Sequence, residues 1–460
     1  MRGRMEAVFG TDGVRGAANV ELTPDLALGL ARAVVGAVAP GAMHPQLLVA
    51  RDTRRSGDLL AAAVAAGVCS AGADILFAGV LPTPALAWLV GRLGLAGGIM
   101  VSASHNPARD NGLKFFGPGG HKLTPSQEAA LERALSRPVF AEPEQVGRIE
   151  EAAGLRQRYL DHLLAAAPAR LEGLRVVVDC AHGALCELAP RLLTALGAKA
   201  IPLNCAPDGE NINQGGAVNP AGMAQAVRRL GADVGLAFDG DGDRVVLADE
   251  RGELVDGDQV LAVWAQDLER RGQLAHHLVV GTVISNGGLE ELLHELGCRL
   301  VRAPVGDRHV AEEMRRRGAA LGGEACGHVI HWPHLSSSDG LWVGLNMLAL
   351  MARSQRPLSE LTACLRRRPQ AAANVPVADC AGWEHDPLIR AAIAEAEREL
   401  AGSRGWLVIR TSGTEPVIRV TVECEEEAEA RRILRQVTAA IQHRIRAQED
   451  AREARPVGVL

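Results

Sequence analysis

The sequence predicts an α/β protein built from three related α/β modules with mixed or parallel sheets around a central cleft, plus a smaller C-terminal α+β domain. Three observations predict it. An apolar strand-like run, a polar turn and an Ala/Leu-rich helical stretch recur three times along the chain. After each helix, a glycine introduces a second strand, and a further helix leads to a third strand ending in a loop of small and polar residues. The C-terminal segment then abandons this rhythm for shorter strands and a charged closing helix.

The first strands begin at Leu47 (LLVAR), Leu174 (LRVVVD) and Leu278 (LVVGT). The second are GADILFAG from Gly72, GAKAIPLN from Gly197 and GCRLVRAPVG from Gly297. The three terminal loops read VSASHNP, FDGDGDR and GGEACGH. Alternating strand and helix implies parallel pairing through right-handed crossovers, which puts ligand-binding groups at the carboxyl ends of strands, where all three loops fall. The expected modules are 1–155, 156–253 and 254–368, followed by an α+β domain at 369–448 and a polar tail at 449–460. Within the α+β domain, strands are expected around Ala371–Val377, Trp406–Ile409 and Val417–Val422. A helix should follow, with Glu425, Glu426 and Glu427 favourably placed at its positive end. Its buried stripe is Ile433, Leu434, Val437, Ile441 and Ile445. The longest apolar run, Leu341–Ala352, is too short to span a bilayer and reads as a buried helix.

Composition narrows the function classes. A chain of 460 residues exceeds a single core. Its 47% hydrophobic and 23% charged content is that of a soluble globular protein. A net charge of −6 gives no electrostatic reason to expect a nucleic acid or an anionic membrane as partner. Nine cysteines without a CxxC pair favour reduced thiols and a cytoplasmic location. The start, MRGRMEAVFG, lacks the apolar stretch of a signal peptide.

The most informative motif is Asp239-Gly-Asp-Gly-Asp243-Arg244. Three carboxylates at alternate positions, separated by glycines, make a hard-oxygen site for a divalent cation such as Mg2+. Arg244 behind them suits a phosphate sharing that metal. A helix-loop-helix calcium site would need glycine at its sixth position, which Arg244 occupies, and the flanks Val234–Phe238 and Val245–Ala248 read as strands. In the first module, Ser104 follows a strand in SASHNP and is a weak nucleophile unless a base, metal or charged donor activates it. Lys114, just before apolar residues, is expected to point into the cleft from a strand start. FGTDGVRG places Arg15 among glycines, where it can grip a phosphoryl group. In the third loop, Glu324 suits hydroxyl recognition and His328 can carry a proton near neutral pH. Arg410-Thr-Ser-Gly-Thr414 forms a compact anion nest in which Arg410, Ser412, Thr414 and backbone N–H groups surround a phosphate. Each motif alone also has an ordinary turn or surface reading.

Taken in order, FGTDGVRG, SASHNP with DNGLKFF, DGDGDR, VGDR, GGEACGH and RTSGTEPVIRV resemble the α-D-phosphohexomutases, and within them the bacterial phosphoglucosamine mutase branch. The resemblance covers nearly the whole chain. It implies interconversion of glucosamine 6-phosphate and glucosamine 1-phosphate on the route to UDP-N-acetylglucosamine. It implies a covalent phosphate on Ser104, completing a Mg2+ shell with Asp239, Asp241 and Asp243, and a sugar bisphosphate as intermediate and activator. Arg244 would hold the migrating group. Arg410, Ser412, Gly413 and Thr414, with Arg419, would clamp the non-reacting phosphate, and Glu324 and Cys326 would meet the sugar. Lys114, His328 and Arg15 share the acid/base and charge-stabilising roles, without assignment among them. The fourth domain is expected to hinge over the substrate, and a homodimer is an allowed assembly. The chain departs from the family pattern at Cys326, Arg109 and Ser336-Ser-Ser-Asp-Gly340, none expected to touch the transfer machinery. Competing readings are a mutase of broader sugar tolerance, a Mg2+-dependent phosphatase and a non-catalytic sugar-phosphate sensor.

Overall fold

The computed structural model describes residues 9–10, 13–377, 382–402, 404–411 and 416–453. The chain divides into two compact units, one of residues 1–282 and 296–364, the other of 283–295 and 365–460.

The larger unit holds three sheets. In the first, β1 (Val14–Ala17), β2 (Gln46–Arg51), β3 (Asp74–Val80), β4 (Gly97–Val101), β5 (Asp110–Phe116) and β6 (Ile149–Glu151) lie in the order β1-β5-β4-β2-β3-β6. The second contains β7 (Arg175–Asp179), β8 (Lys199–Leu203), β9 (Val234–Phe238), β10 (Val245–Ala248) and β11 (Leu254–Val255), ordered β11-β10-β9-β7-β8. The third contains β12 (Leu278–Thr282), β13 (Arg299–Ala303), β14 (Leu321–Gly323) and β15 (Val329–His331), ordered β13-β12-β14-β15. The repeat expected from sequence is thus a common topology. In each module the first strand is central, with the second and third parallel on either side. β4, β9 and β12 are buried throughout, as strands covered on both faces must be.

One feature was not legible in the strand rhythm. After each third strand the chain turns back antiparallel, β4 to β5, β9 to β10 and β14 to β15. Every chemical loop is therefore the connection of a hairpin-like pair, anchored at both ends in its sheet.

Helices pack on the strands of each sheet. Pro24–Val38 starts from Thr23, whose Oγ1 accepts the Leu26 N–H at 3.2 Å, with proline at its first position. It packs on Gly57–Ser70 at Gly67, where an added Cβ would lie 2.3 Å from Leu28 O. Gly340–Ser354 is the buried helix expected from the long apolar run, capped by Asp339, which accepts the Trp342 N–H at 3.0 Å. A ring stack joins the modules. Trp88 lies 4.2 Å from His162, His162 5.5 Å from His334, and His334 4.2 Å from Trp342, centroid to centroid.

The second unit has β16 (Gln370–Pro376), β17 (Trp406–Thr411) and β18 (Val417–Glu423) in the antiparallel order β16-β18-β17. Residues 283–295, inside the 254–368 span expected for the third module, cluster here. The fully buried Glu423 carboxylate accepts the Gly287 N–H at 2.9 Å and so anchors the helix Gly287–Glu295. The closing helix, Glu427–Glu453, buries Ile433, Val437 and Ile441 along the expected stripe. It runs five residues into the expected polar tail, because Glu449-Asp-Ala-Arg-Glu453 contains no glycine or proline to stop it. A second helix, Pro387–Leu400, was missed. Its signal was Asp386-Pro387, a side-chain cap and an N1 proline, ahead of Ile389, Ala396 and Leu400. Among the described residues no helix is long and apolar enough to cross a membrane.

Candidate active site

Ser104 lies in the connection from β4 to β5, buried, with φ of +51°. Non-glycine residues rarely hold that conformation unless their surroundings impose it. Here the Ser104 carbonyl accepts from Arg54 Nη2 and Asn213 Nδ2, both at 2.8 Å, while its N–H donates to Ser102 Oγ at 2.9 Å. Arg54 is itself buried. It also donates to the carbonyls of Asn106 (2.9 Å), Pro107 (2.5 Å) and Asp110 (2.9 Å), and its Nε bonds Asp52 Oδ2 at 2.9 Å. One guanidinium thus gathers the whole serine loop.

The Ser104 hydroxyl donates to Asp239 Oδ2 at 2.6 Å. Asp239, Asp241 and Asp243 follow β9, all buried, and each offers an oxygen within 4.8 Å of the others. The glycines between them are needed. A Cβ on Gly240 would lie 2.8 Å from Ser104 O, and Gly242 has φ of +74°. Burial, with the charges of Asp243 and Asp241, pushes the Asp239 carboxyl up to about 7. Burial also opposes charge on Asp243, but Lys114, His328 and Arg244 more than offset it and hold that carboxyl below its ordinary value. Oδ1 of both Asp241 and Asp243 is buried without a hydrogen-bond partner. Crowded carboxylates with two unspent oxygens form a hard-oxygen donor set that fits a divalent cation.

Lys114 Nζ donates to Asp241 Oδ2 at 2.9 Å and Asp243 Oδ2 at 3.0 Å. It sits inside β5, opposite Met100, rather than at a strand start, so its depth is set by the sheet register. The Thr83 hydroxyl also bonds Asp241 Oδ2. His328 Nε2 lies 3.4 Å from Asp243 Oδ1, and its Nδ1 3.7 Å from Asp307 Oδ2. Burial disfavours a charged His328, yet Asp243 and then Asp307 outweigh it and raise its pKa. Arg244 Nε is 4.0 Å from Asp239 Oδ2. The Arg15 guanidinium reaches Asn106 Oδ1 at 3.4 Å, so it touches the serine loop from β1. Glu324 Oε1 accepts the Gly306 N–H at 2.8 Å. Cys326 has an exposed surface, while desolvation by the surrounding loops, with the Glu324 charge, pushes its thiol up to about 11 despite Arg244.

Seven expected residues therefore converge: Ser104, Lys114, Asp239, Asp241, Asp243, Arg244 and His328. Glu324 and Cys326 share the His328 loop. Arg410 and Arg419 belong to the second unit, where β17 and β18 place them directly opposite each other. Cross-strand partners project from one face, so two positive charges meet there. Ser412, Gly413 and Thr414 lie outside the described residues. The serine-rich stretch does touch the aspartate loop and the strand after His328, contrary to expectation. Ser338 Oγ donates to Asp243 O at 2.5 Å and accepts the Val329 N–H at 3.0 Å, because residues 336–340 run beneath the aspartate loop. Asp52, Arg54, Thr83, Asn213, Asp307 and Ser338 were missed. Asp52-Thr-Arg54 directly follows β2, and the carboxyl-end rule applied to first strands as well as third ones would have found it.

The chain matches four family profiles in sequence order. They are Phosphoglucomutase/phosphomannomutase alpha/beta/alpha domain I over 6–142, domain II over 157–252 and domain III over 256–368, and the C-terminal domain over 373–440. It is 47% identical over 447 residues to a phosphoglucosamine mutase of Symbiobacterium thermophilum, covering 95% of this chain and 99% of that one. It is also 47% identical over 448 residues to one of Frankia alni, covering 95% and 98%. Among solved structures, a phosphoglucomutase/phosphomannomutase family protein of Burkholderia thailandensis superposes with a TM-score of 0.81 at 26% identity, over 95% of this chain and 97% of that one. An Aspergillus fumigatus N-acetylphosphoglucosamine mutase, solved with GlcNAc-6P and magnesium, shares the fold with a TM-score of 0.68 at 18% identity, over 95% and 96%. A buried serine loop bonded to a buried aspartate triad, within a chain matched along nearly its whole length, leads to one assignment: the chain belongs to the phosphoglucosamine mutase branch of the phosphoglucomutase/phosphomannomutase family.

Proposed function

We propose that the chain interconverts glucosamine 6-phosphate and glucosamine 1-phosphate through a phosphate carried on Ser104 and a bisphosphorylated sugar. The observation that carries this reading is the 2.6 Å contact of Ser104 Oγ with Asp239 inside a buried three-aspartate pocket. Asp239, Asp241 and Asp243 would hold Mg2+, which when bound neutralises charge on the phosphoryl oxygens. Lys114 adds a fixed positive charge at the same carboxylates, and Arg244 reaches toward the transferred group. Arginine keeps its proton, so Arg15 stabilises charge and does not act as a base. His328, backed by Asp243 and Asp307, is the better proton carrier of the three candidates. Glu324 and Cys326 would contact the sugar, and Arg410 with Arg419 the phosphate that is not reacting. Phosphoryl transfer depends mainly on alignment and charge neutralisation, and alignment alone can supply ~7–11 kcal/mol of barrier reduction.

The test is intact-mass analysis before and after incubation with glucose 1,6-bisphosphate, alongside turnover of glucosamine, glucose and mannose 6-phosphates. A phosphate added to wild type and absent from Ser104→Ala, with the glucosamine ester turned over fastest, is the expected result. No mass gain would overturn the phosphoserine. A glucosamine ester that proves the poorest substrate would favour a mutase of broader tolerance.

A further inference from the structure

Among the described residues, one group of metal-ligating side chains besides the aspartates lies close enough together to share an ion, and phosphoryl transfer does not use it. Glu269, His277 and Cys298 each offer an atom within 4.8 Å of the other two. Three separate elements bring them there. Glu269 lies in the last turn of the helix Gly257–Arg270, His277 directly precedes β12, and Cys298 directly precedes β13. β12 and β13 run parallel with Leu278 opposite Arg299, so the sheet register itself sets positions 277 and 298 side by side. His277 Nδ1 lies 2.9 Å from Glu269 Oε1 and 3.1 Å from Oε2, which turns the imidazole onto the carboxylate. His276 and His277 have φ of +57° and +51°, two successive non-glycine residues in the left-handed region. The turn that aims the ring is therefore imposed by its surroundings. The Glu269 carboxylate sits at the negative end of its helix, where a cation is favoured and an acid is not. Access is open, since the His277 side chain is 68% exposed, whereas Cys298 is buried.

We propose that Glu269, His277 and Cys298 form a Zn2+ site, separate from the aspartate pocket, that clips the helix Gly257–Arg270 to the amino ends of β12 and β13. A soft thiolate, a borderline imidazole and a hard carboxylate make a mixed S/N/O donor set, which suits Zn2+ and not Mg2+. On binding, Cys298 forms an S–Zn bond, and its thiol proton, otherwise donated to Leu296 O at 3.6 Å, leaves to solvent. His277 binds through the Nδ1 lone pair and keeps its proton on Nε2, while Glu269 gives one carboxylate oxygen. The anionic sulfur and carboxylate balance the dication, and water takes the fourth tetrahedral position. The role is to brace the third module. Its site lies at the amino ends of strands, whereas Glu324 and His328 follow the carboxyl end of β14, which runs parallel to β12.

The test uses the intact chain, stripped with a chelator and then held in excess Mg2+ with a phosphine reductant that does not compete for metal. Titration with Co2+ should bring up a thiolate-to-cobalt charge-transfer band in the near ultraviolet, saturating at one equivalent, together with visible bands of tetrahedral intensity. Zn2+ should abolish both by displacement. Cobalt held by the aspartates alone cannot give the charge-transfer band, because no sulfur reaches it there. Cys298→Ser should lose that band. His277→Asn keeps a residue that tolerates the left-handed turn and should weaken Co2+ binding by at least on the order of tenfold. Zn2+ should raise the denaturant midpoint of wild type and leave that of His277→Asn unmoved. Absence of the band in wild type overturns the proposal, as does a band that survives in Cys298→Ser, which would put the thiolate elsewhere. Cobalt affinity unchanged in His277→Asn overturns it too, and a wild-type midpoint that Zn2+ does not raise refutes the bracing role. His277 is exposed, so its variant keeps the test decisive even where Cys298→Ser folds poorly.

Discussion

Arg54→Lys should slow the chemical step while leaving substrate affinity nearly unchanged. The guanidinium makes five hydrogen bonds, one to Asp52 and one each to the carbonyls of Ser104, Asn106, Pro107 and Asp110. A lysine ammonium has three donors, so at least two of these bonds are lost. Asn213 also serves the Ser104 and Asn106 carbonyls, and the Asp110 N–H serves Pro107 O, which softens the loss. Two weakened buried partners at ~1–3 kcal/mol each, discounted for those substitutes, give a penalty of about 2–4 kcal/mol borne by the serine loop. Part of it will appear as displacement of Ser104. A shift on the order of 1 Å costs about a hundredfold in rate, so kcat should fall ~10- to 100-fold with KM changed less than about threefold. Steady-state kinetics with glucosamine 6-phosphate would be read beside hydrogen exchange over residues 102–110, which should quicken there before elsewhere. A folded variant with wild-type kcat would refute the assignment of Arg54 as the residue that positions the nucleophile. A rate loss explained entirely by the unfolded fraction at the assay temperature would refute it as well.

Three further outcomes are expected. Lys114→Met leaves Asp241 and Asp243 buried without their cation, so thermal unfolding should show a loss of ~3–5 kcal/mol that added Mg2+ largely recovers, with kcat staying low. Ser338→Ala removes the bond to Asp243 O and the acceptor for Val329 N–H, which should cost ~1–3 kcal/mol by chemical denaturation. Burial and the neighbouring His334 lower the pKa of both His162 and His331, the latter to about 4. A depressed histidine favours the fold while neutral. Stability should therefore be full above about pH 6.5 and fall as pH drops toward 4, and His331→Gln should flatten that slope in melts between pH 7 and 4.5.

Much of this architecture is legible in the residues because its signals are local. The threefold strand rhythm gives the three modules, since each parallel strand must be apolar throughout and each crossover needs a helix. Ser104 and the aspartates stand out because glycine-spaced carboxylates and a serine among small residues have few other uses. What escapes sequence reading is determined by packing at long range. Arg54 and Thr83 act on loops about 50 and 158 positions away, and nothing beside them in the chain advertises those partners. Ser338 looks like any loop serine until the fold lays it beneath Asp243. Lys114 was expected at the cleft, but only the β4–β5 register fixes which face of the strand it occupies. The helix Pro387–Leu400, by contrast, has a local signal in its Asp386 cap, its N1 proline and the stripe Ile389, Ile393, Ala396 and Leu400.

The left-handed backbone at Ser104 sets chemistry and folding against each other at one residue. Glycine would accept φ of +51° without the penalty an L-residue incurs, of order 1–2 kcal/mol. Glycine would also leave Asp239 Oδ2 without the Ser104 hydroxyl, so what it relieves in the backbone it gives back at the carboxylate, and the strained turn persists because only a side chain can make that bond.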